Sequence, residues 1–166
     1  MPRRKHILFV CTGNTCRSPM AAALMHHALR EHQLDNTFTV SSAGVAAATG
    51  VPAARHAQKV MAQRKLDLSR HASQSLPEAG VHEMWAIVTM THEQKAAVIA
   101  MYPEVAERVY TLGEFAGEKY GTEWEVADPF GQDKTSYEKV VQQLHEAIQH
   151  VISQLKQDVL RVRGEK

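Results

Sequence analysis

The stretch that most constrains this chain lies near its N-terminal end. A short apolar run, Ile7–Val10, passes directly into Cys11-Thr12-Gly13-Asn14-Thr15-Cys16-Arg17-Ser18-Pro19, and an alanine- and leucine-rich segment follows. A brief apolar run closed by turn formers reads as a buried strand, His6 to Val10. Ser18 before Pro19 reads as a helix start, with the serine as cap and the proline at the first helical position. "MAAALMHHALREH" then continues as helix. The same alternation recurs downstream. Residues 37–42 read as a second strand, and "SSAGVAAATGVPAA" as a loop leading to a helix over 52–66. A third strand covers 84–90 and contains Trp85, which is expected in the core. Thr91 caps the next helix, which Pro103 ends. Residues 108–112 form a fourth strand, followed by a short helix and the loop "ADPFGQD". From Thr135 to about Val159, the residues Tyr137, Val140, Val141, Leu144, Ile148, Val151, Ile152 and Leu155 make an apolar helical stripe.

The order β-α-β-α-β-α-β-α predicts a parallel sheet with helices on both faces, a three-layer α/β architecture. A chain of 166 residues fits one such domain, spanning 1–166. Apolar residues make up 44% of the chain and its net charge is +1, so no general pull toward nucleic acid or a membrane surface is expected. No apolar run is long enough to span a bilayer. The basic start, "MPRRKHILFV", lacks the longer apolar region of a signal peptide, and a cytoplasmic protein is expected. The only cysteines are Cys11 and Cys16. One pair is not a disulfide scaffold, and without a histidine cluster beside it is not a structural zinc site.

Ligands in parallel sheets bind beyond the carboxyl ends of the strands, where Cys11 falls. A strand, then Cys11–Arg17, then a helix start can build an anion cradle from inward-facing backbone N–H groups and the helix N-terminus. Thr12, Gly13, Asn14, Thr15 and Cys16 complete that cradle, with Gly13 and Asn14 supplying its unusual backbone angles. Arg17 can grip two phosphoryl oxygens side by side. Cys11 at the base is expected to sit as the thiolate, with Ser18 donating its hydroxyl to the sulfur. The chemistry predicted is nucleophilic attack on phosphorus, with the charge held by Arg17 and the N–H groups. The loop lacks the Gly-Lys-Ser/Thr ending of a nucleotide-binding Walker loop. Asp128, in "ADPFG", is the candidate acid for the first step and base for the second, although an Asp-Pro pair is also a common turn. Phe130 beside it is read either as pocket wall or as a core aromatic.

With "VCTGNTCRSP", "SSAG" and "DPFG" in that order, the chain resembles the low-molecular-weight protein tyrosine phosphatases over nearly its whole length. The resemblance implies a flavodoxin-like fold with a four-stranded parallel sheet. It also implies a phosphocysteine mechanism using Cys11, Arg17, Ser18 and Asp128 with no metal and no cofactor, and a supporting network from Asn14 to Ser42 and His71. His71 is otherwise a surface loop residue. Within that family, the small polar Thr15 and the Phe130-Gly131 pair look most like the bacterial protein arginine phosphatases. A planar, polar guanidino group would find room and polarity at Thr15, where a branched aliphatic residue would crowd it. The alternative is a tyrosine phosphatase in which Thr15 is a neutral variation. The arginine branch implies a role in bacterial stress response and protein turnover. The expected partners are phosphorylated proteins and an oxyanion in the loop, and a monomer is expected.

Cys16 has two readings: a partner for reversible disulfide formation with Cys11, which would give redox regulation, or a small loop filler. Three further readings compete. An arsenate reductase usually relays electrons through later cysteines, and none follows Cys16. A phosphate-binding module without turnover would lack the nucleophile or the acid. A flavodoxin-like redox protein would share the fold class alone. Trp124 and Glu123 are expected to border the acid loop.

Overall fold

Strands and helices alternate along the chain as the patterning requires. The elements are β1 (Lys5–Cys11), α1 (Arg17–Glu31), β2 (Phe38–Gly44), α2 (Arg55–Gln63), α3 (Leu76–Ala79), β3 (Ala86–Thr89), α4 (His92–Met101), β4 (Val109–Thr111), α5 (Leu112–Ala116) and α6 (Lys134–Val162). The computed structural model describes residues 3–164, so the outermost residues of the expected 1–166 domain lie outside the described residues.

The sheet is four-stranded and wholly parallel, in the order β2-β1-β3-β4. Its central strand β1 is buried on both sides, as a parallel strand covered by helices must be. Ile7 and Phe9 face the layer that holds α1 and α6, whereas Leu8 and Val10 face α3, α4 and the short turns around them. The long helix α6 buries the whole stripe from Tyr137 to Leu155, and Asp133 caps it by accepting from the Ser136 N–H at 3.0 Å. Thr91 and Gln94 form a capping box at the start of α4.

Several boundaries differ from the sequence reading. Helix α1 begins at Arg17, after Cys16, and no side chain caps it. Ser18 lies inside the first turn, where its hydroxyl faces Cys11 instead of a backbone N–H. Pro19 is tolerated there because first-turn N–H groups have no intrahelical partner. Helix α2 is shorter than 52–66. The Ala54 N–H is drawn to the Thr15 carbonyl at 2.9 Å, and Lys65 adopts a left-handed φ of 63° just past the helix end. Trp85 is not a core residue. Strand β3 starts two residues later than expected, at Ala86, so Trp85 falls at the sheet's N-terminal edge, 36% exposed, against Phe38 and Phe115.

The sheet order places a topological switch at β1. The chain leaves β1 toward β2 on one side, and β3 lies on the other, so the loops after β1 and β3 diverge and open a crevice at their carboxyl ends. Cys11 is the last residue of β1 and stands at that crevice.

Candidate active site

The loop from Thr12 to Cys16 is held open by contacts from outside itself. None of the backbone N–H groups from Thr12 to Ser18 donates a hydrogen bond among the described residues, whereas the carbonyls of Thr12, Asn14, Thr15 and Cys16 all accept one. A loop with paired carbonyls and free, clustered N–H groups is an anion-binding concavity, and α1 adds its N-terminus beneath it.

Asn14 fixes the shape. It is fully buried and adopts a left-handed φ of 57°. Its side-chain N–H₂ donates to Ser18 Oγ (2.8 Å) and Ser42 Oγ (2.9 Å), and its Oδ1 accepts from the Gln74 N–H (3.0 Å). His71 Nε2 donates to the Asn14 carbonyl at 2.7 Å. The expected companions of Asn14, Ser42 and His71, therefore both meet it, and Gln74 is a fourth member that no sequence pattern flagged. Gly13 does not have the positive φ expected of it, and Asn14 alone makes the left-handed step. Glycine is needed at Gly44 instead, because a Cβ there would overlap the Thr12 carbonyl oxygen.

Cys11 Sγ lies 2.9 Å from Ser18 Oγ. Because Asn14 donates to that oxygen, the Ser18 proton is left for an acceptor, and the two within reach are the sulfur at 2.9 Å and the Ala43 carbonyl at 3.4 Å. Arg17 is buried and reaches across the crevice. One guanidinium nitrogen donates to the Val126 carbonyl at 3.1 Å, and the other lies 3.5 Å from Asp128 Oδ2. The acid loop is tied down in turn: the Val126 N–H donates to the Met90 carbonyl at 3.0 Å, and Gln143 Nε2 to the Glu125 carbonyl at 3.1 Å. Asp128 is exposed, and its Oδ1 accepts from the Phe130 N–H at 3.1 Å in an Asx turn.

These elements enclose a cavity of about 180 Å³, lined by Cys11, Thr12, Gly13, Thr15, Cys16, Arg17, Asp128 and Phe130. Phe130 is 70% exposed, so it is the rim of the cavity and not a core aromatic. Trp124 does not reach the cavity and packs on Tyr120 and Gly113 instead. A larger groove of about 940 Å³ runs along the outer side of α1 and β2, with Ser42, His71 and Gln74 in its wall. No cysteine lines it, whereas Cys11, Arg17 and Asp128 all line the smaller cavity. Behind that cavity, Cys16 Sγ lies 3.3 Å from the Tyr137 hydroxyl. Burial pushes the Cys16 thiol above the usual thiol range, against the opposing hydrogen bond from Tyr137. Burial, then the Cys16 sulfur, likewise holds the Tyr137 hydroxyl above the phenol range.

A thiol, a hydroxyl aimed at it, a cradle of N–H groups and a guanidinium-carboxylate pair can together hold a tetrahedral oxyanion, attack its centre and carry a proton. Comparison with known proteins points the same way. The family model described as low molecular weight phosphotyrosine protein phosphatase matches residues 6–161. A protein-arginine-phosphatase of Geobacillus stearothermophilus is 39% identical over 93% of this chain and 97% of its own length. A probable low molecular weight protein-tyrosine-phosphatase, EpsP, of Ralstonia nicotianae is 33% identical over 87% of this chain and 91% of its own. The solved structure of YwlE arginine phosphatase from Geobacillus stearothermophilus superposes with a TM-score of 0.84 at 35% identity, covering 95% of this chain and 96% of that one.

Proposed function

We propose that this chain, which belongs to the low molecular weight phosphotyrosine protein phosphatase family and is a phosphatase, removes phosphate from phosphoarginine side chains of proteins. In this reading the Cys11 thiolate attacks phosphorus in line with the leaving nitrogen. The S–P bond forms as the P–N bond breaks, and Asp128 gives its proton to the departing guanidino nitrogen. Arg17 and the loop N–H groups hold the charge on the three phosphoryl oxygens. Asp128, now a carboxylate, takes a proton from water as the water oxygen attacks phosphorus. The S–P bond breaks, releasing inorganic phosphate and regenerating the Cys11 thiolate, whose charge the Ser18 hydroxyl supports.

The observation that carries the mechanism is the meeting, in one small cavity, of Cys11 from the end of β1, Arg17 from the start of α1 and Asp128 from a loop far along the chain. The choice of phosphoarginine rests on Thr15, whose small polar side chain lines that cavity beside Asp128. Two relatives named protein-arginine-phosphatase, at 39% and 34% identity, support it. A second reading, phosphotyrosine, draws on the exposed Phe130 ring at the rim, which can pack against an aryl group.

The test is kcat/KM on matched phosphoarginine and phosphotyrosine peptides for the wild type and Thr15→Ile. Preference for phosphoarginine, lost in Thr15→Ile while phosphotyrosine turnover is kept or gained, is the expected result. A wild-type preference for phosphotyrosine overturns the substrate assignment and leaves Cys11, Arg17 and Asp128 in place. Equal loss on both substrates in Thr15→Ile assigns Thr15 to loop support alone.

A further inference from the structure

Across the switch-point crevice from the Cys11 loop, the turn after β3 places a buried amide against the cavity wall. Gln94, in the first turn of α4, is only 4% exposed. Its Oε1 accepts from the N–H groups of Met90 (2.9 Å) and Thr91 (3.0 Å). Two backbone donors converging on one atom require an acceptor there, so the amide has a single orientation and its nitrogen faces away from the turn. That nitrogen lies 3.1 Å from Thr12 Oγ1. Capping the helix needs only the oxygen, and the other two capping boxes among the described residues use glutamate, Glu78 and Glu114. The nitrogen is an addition with a different task.

Thr12 lines the cavity beside Cys11. Its backbone is held on the β2 side, where its carbonyl accepts from the Ala46 N–H at 3.0 Å and Gly44 packs without a side chain. Its hydroxyl is held on the α4 side by Gln94. Because Gln94 donates, Thr12 Oγ1 is the acceptor in that bond and its own proton must point elsewhere. Thr12 is exposed and lines the cavity, so the hydroxyl proton is available to a group bound there.

We propose that Gln94 is a positioning residue that orients the Thr12 hydroxyl as a donor to the substrate's phosphoryl group, supplementing the backbone cradle. The proposal rests on the reading of the Cys11 loop as the phosphoryl site. Because the phosphoryl group is common to both candidate substrates, the contribution of this donor is the same for phosphoarginine and phosphotyrosine.

Gln94→Glu isolates the effect. Glutamate keeps both acceptor contacts and the capping box, but it accepts where the amide donated, so the Thr12 proton swings onto the carboxylate and is lost to the cavity. Gln94→Glu and Thr12→Val are each expected to lower kcat/KM by about 10- to 150-fold on either substrate, the value of one hydrogen bond to a charged group. The inhibition constant of inorganic phosphate should weaken in parallel. Thr12→Ser, which keeps a hydroxyl, should lose less than Thr12→Val, and the double variant should be no worse than Thr12→Val. A Gln94→Glu loss that persists undiminished on top of Thr12→Val is charge repulsion and overturns the proposal, as does an unchanged phosphate constant in Thr12→Val. Cys11→Ser, assayed beside them, tests the underlying reading separately: activity surviving in Cys11→Ser sinks that reading whatever Gln94 does.

Discussion

Asn14→Ala removes the side chain that holds the Cys11 loop, and its cost can be built from parts. Alanine must take up the φ of 57° that Asn14 adopts, which costs an L-residue about 1–2 kcal/mol. The Gln74 N–H loses its acceptor, and the hydroxyls of Ser18 and Ser42 lose their donor, in a fully buried site. An orphaned buried polar group costs about 1–3 kcal/mol. The sum is roughly 3–5 kcal/mol, since partial relaxation around the smaller side chain recovers some of the loss. For a chain of this size that lowers Tm by about 10 °C. Asn14→Gly loses the same hydrogen bonds and escapes the backbone strain. After the flexibility that glycine carries in the unfolded chain, it should be more stable than Asn14→Ala by about 0.5–1 kcal/mol. Urea denaturation of the three proteins followed by circular dichroism measures both differences. If Asn14→Gly is no more stable than Asn14→Ala, the strain argument is wrong. If both lie within 1 kcal/mol of the wild type, the network does not hold the loop.

Two further outcomes follow from the site. Asp128→Asn keeps the acceptor for the Phe130 N–H but cannot pass a proton, so kcat on a phosphopeptide should fall by about 10²- to 10³-fold. An activated aryl phosphate, whose leaving group needs no proton, should lose less in the phosphorylation step seen in single-turnover kinetics. A change within threefold on the peptide would remove Asp128 from the mechanism. Peroxide should convert Cys11 to a sulfenic acid, with water as the by-product, and attack by Cys16 would then form the disulfide and release a second water. Burial holds the Cys16 thiol above the ordinary range, so its thiolate fraction at neutral pH is small and grows as pH rises. Activity recovered by a thiol reductant should therefore be greater after exposure at pH 9 than at pH 7, and smaller in Cys16→Ser. Equal recovery in wild type and Cys16→Ser would leave Cys16 as a loop filler.

The fold was legible because every layer left a periodic trace. The short apolar runs at Ile7–Val10 and Ala86–Thr89 have the length and uniformity of strands covered on both faces, and the stripe from Tyr137 to Leu155 has the helical period of a face on a sheet. The errors came where a residue's neighbours in space outweighed its neighbours in sequence. Ser18 before Pro19 has the local chemistry of a helix cap, but the sulfur of Cys11 and the Asn14 amide claim its hydroxyl, and the helix starts two residues earlier than expected, at Arg17, without a side-chain cap. Trp85 sits in an apolar run, yet the strand proper begins after it, and its ring lies at the sheet's edge.

The site divides along the same line. Residues that would touch substrate are legible because their chemistry is rare in combination: a thiol, a guanidinium and a hydroxyl in one loop, with a carboxylate beside a proline. Of the residues that hold those groups, Asn14, Ser42 and His71 were legible through the family resemblance, whereas Gln74, Gln94 and Gly44 are commonplace residues whose role exists only in three dimensions. Gln74 meets Asn14 because a short parallel bridge from Ser75 to Gly44 brings the two segments together. Gln94 looks in sequence like half of a capping box, and its oxygen is that. Its nitrogen acquires a partner only because the sheet order sets β3 beside β1, bringing the first turn of α4 against the residue after Cys11. A switch point of this kind makes two loops from distant parts of the chain share one crevice, so the groups that fix its shape are written in segments that carry no signature of chemistry. In such a fold the catalytic motif can be read from sequence, whereas its rigidity, on which the placement of Cys11 and Thr12 depends, must be read from the contacts across the crevice.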